Sequence, residues 1–198
     1  MTRRTPTATA WRATIAAIVV MVALPACNKP RTPEEAFRKF ARAVDAGDPA
    51  ALFDVLDQHS RWAWMTVQKS HREAYDIILS NYPEGAERER EQRRFERGAS
   101  LGSARALFAE EVGTAALAKL PKPMPALVRI NMGSDGENAF AVLASHLSLP
   151  FRRGADGSWG YAGVADDAEE RQKRALGDVD VVRANAADYE RAAARNAR

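Results

Sequence analysis

Two glycine-bounded turn clusters, Gly133-Ser134-Asp135-Gly136 and Gly154-Ala155-Asp156-Gly157, constrain the fold of this chain more than any other feature. Leu127, Val128 and Ile130 lead into the first, and 138–144, 147–152 and 158–164 follow as short stretches with strand character. Turns this closely spaced demand hairpins, so this half reads as an antiparallel meander of about four short strands. Pro121, Pro123 and Pro125 mark the change of pattern from a helical first half.

That first half opens on Thr32-Pro33-Glu34-Glu35, where Thr32 caps, Pro33 takes the first helical position and Glu35 completes a capping box. Phe37, Phe40, Ala41 and Val44 recur at helical spacing until Gly47, and Asp48-Pro49 starts a second helix with Leu52, Phe53 and Leu56 inward. Phe37, Phe40 and Leu52 are therefore expected in the core. Over 60–82 the residues Trp64, Val67, His71, Tyr75, Ile78 and Tyr82 share one helical face, ended by Pro83. In 84–97 five Glu alternate with five Arg, the pattern of an exposed helix supported by pairs such as Glu84/Arg88 and Glu89/Arg93. At the far end, over 178–195, Val179, Val182, Ala186, Tyr189 and Ala193 form a narrow stripe. It is too small for a stable coiled coil and is expected to pack on its own domain or to be loosely held. Helices, then a curved antiparallel sheet, then a C-terminal helix make an α+β order.

The N-terminus carries an address. Arg3, Arg4 and Arg12 precede 13–24, twelve uncharged and mostly apolar residues that would rise about 18 Å as a helix. That is well short of a hydrocarbon core of ~30 Å, so the segment reads as the apolar region of a secretion signal. Pro6 and Thr7 stand where a twin-arginine signal has apolar residues, which favours ordinary secretion. Small Ala26 and the single cysteine follow at once, and Leu24-Pro25-Ala26-Cys27 resembles the lipobox of bacterial lipoproteins. The resemblance implies a cut before Cys27, a lipidated thiol and an acylated new N-terminus. It thus implies a membrane partner through the lipid anchor in the bacterial cell envelope, facing the periplasm. Asn28 is not the Asp that retains many such proteins at the inner membrane, which tilts the expectation to the outer one.

Processing also corrects the charge. Three of the 29 Lys and Arg, and none of the 26 Asp and Glu, precede Cys27, so the mature chain carries 26 of each sign. A net charge of zero removes the electrostatic case for a nucleic-acid partner. With one cysteine the chain forms no internal disulfide. The organisation expected is a signal peptide over 1–26, a tether over 27–32, an α+β cone-like domain over 33–164 and a helical tail over 165–198.

Pro33-Glu34-Glu35-Ala36-Phe37 and the run from Val44 through Gly47-Asp48-Pro49 to Leu52 resemble the opening of the nuclear transport factor 2-like superfamily. Asp156-Gly157-Ser158-Trp159 is similar to the turn entering a late strand in that superfamily. The likeness covers 33–56 and 147–164 and leaves the tail outside. It implies a cone of helices against a bent sheet with a pocket inside, and it carries no catalytic residue across. Some members are isomerases or dehydratases.

Chemistry is sparse. Gly98-Ala99-Ser100-Leu101-Gly102 matches G-x-S-x-G, with Asp135 and His146 downstream in hydrolase order. That mechanism needs a strand before the serine, and here the Glu/Arg helix precedes it, so a helix-ending glycine and a flexible linker account for the match. His59, His71 and His146 are not spaced as metal ligands, and no metal or other cofactor is expected. His71 is the one candidate acid or base, with Asp76 or Tyr75 beside it. Trp62, Trp64, His71, Tyr75, Trp159 and Tyr161 would line a cone pocket, although aromatics at such spacing are more often core. Two functions remain. One is a non-enzymatic, monomeric lipoprotein that binds a protein or a small apolar ligand. The other is a small isomerase or dehydratase using His71, which requires His71 and a carboxylate to face one closed cavity.

Overall fold

Hydrogen bonds to the first turns of the helices set where the chain changes direction. In the computed structural model, which describes residues 29–196, Thr32 Oγ1 accepts from Glu35 N at 3.2 Å and opens α1 (Pro33–Ala46). Glu35 reaches one residue further back than a capping box requires, accepting from Arg31 N at 2.7 Å. Gly47, in the left-handed region at φ 66°, closes α1, and Asp48 Oδ1 accepts from Ala50 N and Ala51 N to start α2 (Pro49–Asp54). Buried Asp57 then caps α3 (Gln58–Asn81), and α4 (Ala86–Ser100) turns back along it.

Where a flexible linker was expected after Gly98, α4 runs on to Ser100 and only 101–103 separate it from further helix. Ser103 caps α5 (Ala104–Phe108), a π-helical turn occupies Ala109–Gly113, and α6 (Thr114–Ala118) follows. Leu107, Phe108 and Leu117 bury this bent run against the core, which outweighs the weak sequence pattern.

The antiparallel meander has the order expected: β1 (Leu127–Met132), β2 (Asn138–Leu143), β3 (Ser148–Arg153) and β4 (Trp159–Tyr161). Register pairs Ala139 with Phe151 and Ala141 with Leu149, placing these four on the face toward the helices. Phe37 and Phe40 of α1 meet the Phe151 ring edge-on at 6.4 and 5.9 Å, and Phe40 lies 4.3 Å from Tyr161. Phe37, Phe40 and Leu52 are all buried. The outer edge of β4 is covered: Tyr161 N donates to Val55 O, Asp57 N to Tyr161 O, and Trp159 N to Pro30 O. Gly160 permits the approach, since a Cβ there would stand 2.5 Å from Asp57 N.

The last helix, α7 (Ala165–Asn196), is 32 residues long and begins well before the stripe at 178–195. It runs parallel to α3, with Gln172 on Thr66, Arg183 on Glu73 and Glu190 on Asn81. Its Ala168 and Ala175 belong to the main core, while Val179, Val182 and Ala186 close a second cluster with Ala74, Ile78, Tyr82 and Phe95. The Glu/Arg helix α4 is thus more than a solvated face: Phe95 and Gly98 are buried in it. Of its expected pairs, Glu89 and Arg93 meet at 3.8 Å, whereas Arg88 donates to Leu79 O. Glu84 precedes the helix. Among the described residues no helix is long and apolar enough to cross a membrane.

Candidate functional site

The six residues expected to line one pocket are dispersed. Trp64 is fully buried, edge-on to Phe108 at 5.4 Å. His71 stands between α3 and α4, edge-on to Phe95 at 5.9 Å. Half-buried Tyr75 packs on the second cluster, Trp159 lies beside Pro30, and Tyr161 sits against Phe40. Trp62 points outward with 56% of its surface exposed. The space a cone would enclose is filled by the Phe40, Phe151 and Tyr161 rings, which pack on one another. Aromatics here serve as core.

His71 lies on the backbone of Gly98: a Cβ there would stand 2.7 Å from His71 Cγ and overlap Nδ1. That nitrogen is buried without a hydrogen-bond partner among the described residues. Burial lowers the imidazole pKa, partly opposed by the charges of Glu111 and Asp178 and reinforced by Arg94. The electrostatic neighbours thus come from other elements, and neither Asp76 nor Tyr75 is among them. An imidazole pressed on a helix backbone is not facing a closed cavity with a carboxylate.

The G-x-S-x-G match resolves into helix chemistry. Ser100 ends α4 and its Oγ donates to Arg97 O at 2.9 Å. Asp135 accepts from Glu137 N and Asn138 N in the β1–β2 turn, and His146 occupies the β2–β3 turn at φ 64°. Among the described residues no three His, Cys, Asp or Glu side chains are grouped to hold a metal ion. Cys27 and the whole signal segment lie outside the described residues.

A different constellation forms where the π-helical turn faces α7. Gly113 seats this turn on α2, because a Cβ there would come within 2.7 Å of Pro49 Cβ. Bulged helix turns of this kind are frequent at functional sites. Arg171 of α7 donates through Nη1 to Glu111 at 2.9 Å and through Nε to Asp167 at 2.8 Å, and its guanidinium lies 5.4 Å from the Trp64 ring. Beside it is a cleft of about 310 Å³ lined by Val112, Ala116, Leu120 and Val164 together with Lys119 and Tyr161. The Tyr161 hydroxyl makes no hydrogen bond among the described residues, and burial raises its pKa, so it remains a phenol that can donate. Gly163 leaves it room, since any side chain there would overlap the hydroxyl. The cleft offers apolar walls, the Tyr161 hydroxyl as a donor, the neutralised Arg171 and the ammonium of Lys119. Sequence reasoning named Tyr161 but missed Arg171 and Glu111, whose pairing joins elements sixty residues apart.

No family model, curated protein or solved structure matches the chain.

Proposed function

We propose that this chain is a lipid-anchored protein of the bacterial cell envelope whose domain binds a partner or a small apolar ligand without catalysing a reaction. The observation that carries it is how the chain enters the domain two residues after Cys27. Lys29 Nζ pairs with Asp156 at 2.7 Å, Pro30 O accepts from Trp159 N at 3.0 Å, and Arg31 Nη1 donates to Asp156 O at 3.0 Å. A lipid on Cys27 would therefore hold a fixed end of the domain at the bilayer. The α1–Gly47–α2 unit laid on an antiparallel sheet supports kinship with the nuclear transport factor 2-like superfamily as part of the same proposal. The cleft between the π-helical turn and α7 is the binding site of this reading, at the small end of ligand-pocket sizes. Asn28 favours the outer membrane.

Anchoring is tested by metabolic labelling with a fatty-acid analogue. The wild type takes up label and Cys27→Ser does not; equal label in both overturns the reading. Binding is tested by native mass spectrometry of the purified lipidated protein. A small apolar molecule that stays bound to the wild type should be lost from Ala116→Trp, which fills the cleft.

A further inference from the structure

We infer that the end of the domain built from residues 29–31, the β3–β4 turn and the first turns of α3 is a membrane-docking surface that rests on anionic phospholipid headgroups. This rests on the reading that Cys27 carries the lipid. The first support is the reach of the chain. Two residues extend no more than about 7 Å, so Cys27 stays within that distance of Lys29. Lys29 is itself fastened to Asp156, and Pro30 is hydrogen-bonded to β4. Whatever surface holds the Cys27 lipid must then lie against this end of the domain. A longer free linker would let the domain tumble; this attachment does not.

The chemistry of that end fits the headgroup layer. Arg31 Nη1 and Arg153 Nη2 converge on Gly157, coming within 3.5 and 3.7 Å of where its Cβ would be. Arg31 spends its guanidinium on a backbone carbonyl, and Arg153 makes no salt bridge among the described residues. Arg61 lines an adjoining cleft of about 230 Å³ with Lys29 and Ser158, and its buried Nε has no hydrogen-bond partner among the described residues. Of the carboxylates nearby, Asp156 is engaged by Lys29 and Ser158, Asp57 by Ser60 and Arg152, and Asp54 by Arg105, while Glu35 accepts from Arg31 N and Glu169 faces His59. Arg31, Arg61 and Arg153 have no carboxylate partner among the described residues, which complements an anionic surface although the mature chain is neutral as a whole. Trp62 completes the pattern. It lines a shallow groove with Arg152, Arg153 and Gly154, more than half exposed, and an indole beside arginines is the composition of a membrane interface.

The test uses the mature lipidated protein reconstituted into vesicles carrying brominated acyl chains. One set is phosphatidylcholine alone and the other contains phosphatidylglycerol. Trp64 and Trp159 are buried, and Trp159 lies beside Pro30, so the part of the quenching that Trp62→Phe removes reports Trp62. The expected result is quenching at least about twofold stronger with phosphatidylglycerol and strongly reduced in Trp62→Phe. Arg31→Gln/Arg153→Gln, checked by circular dichroism for an unchanged fold, should reduce the phosphatidylglycerol value to that of phosphatidylcholine. Mass spectrometry of the N-terminal peptide from the same sample separates the two readings. An acylated Cys27 with quenching equal in wild type and Trp62→Phe overturns the docking surface and leaves the anchor standing. An unmodified Cys27 overturns both.

Discussion

His71 reaches the backbone of α4 only because residue 98 has no side chain. Replacing Gly98 with Ala forces the imidazole or the helix to move, and overpacking of this kind costs roughly 1–3 kcal/mol. Chemical denaturation should show that loss for Gly98→Ala, and most of it should vanish in a His71→Ala background; additive losses would contradict the contact. The imidazole also carries a pH signature. Burial holds its folded pKa below the ordinary 6.5, so under 6.5 the unfolded chain binds a proton that the folded chain resists. Its contribution is full above 6.5 and declines as pH falls from there toward the folded value. Thermal melts at pH about 7.5 and about 5.5 should show a drop in Tm that shrinks in His71→Leu. An undiminished drop would assign the effect elsewhere. From the sequence His71 was legible as a member of one helical face with Trp64 and Tyr75. Its contact was not, because a glycine has no hydropathy pattern to announce that another helix lies on it.

Among the elements, α1 and α7 show how far a stripe of residues can be read. Phe40 was expected inward from its spacing, and it is fully buried between Phe151 and Tyr161. Phe40→Ala should cost roughly 3–5 kcal/mol by denaturant titration. A loss below ~1 kcal/mol would be out of keeping with a core aromatic. The stripe of α7 was equally legible, but its destination on α3 was not, since Val and Ala at helical spacing fit many partners. Deleting 178–198 uncovers Ile78, Phe95 and Tyr82, so the truncated protein should melt at lower temperature and bind a hydrophobic dye. If the full-length protein were instead a dimer that became a monomer on deletion, the stripe would be an assembly element. The bent helical run of α5, the π-helical turn and α6 went unread, although Ser103 before Ala104 and the Leu107-Phe108 pair were signals present in the chain.

For the whole molecule, the decisive feature is that residues 29–32, expected to belong to a tether, are part of the domain. Asp156 accepts from Lys29 Nζ, Ser158 N and Ser158 Oγ, and these bonds hold its carboxyl well below the usual carboxylate range. Asp156→Ala should free 29–31, and trypsin should then cut after Arg31 much faster than in the wild type, with little change in global stability. Equal cleavage rates would mean that the segment is held by other contacts. The parallel course of α3 and α7 follows from the same economy of chain: the meander between them returns the polypeptide to the end of the molecule from which α3 starts.

Caps, turn residues and helical stripes act within about four residues of themselves, and the sequence alone determined what depends on them: α+β class, the starts of α1 and α2, the four strands and their antiparallel order. Tertiary structure decided which faces meet. It filled the expected cone with Phe40, Phe151 and Tyr161, set His71 against Phe95, laid α7 along α3, and joined Arg171 to Glu111 beside Tyr161. Each of these contacts joins distant parts of the chain, and their partners are selected by shape and burial across the whole domain, for which local spacing holds no record.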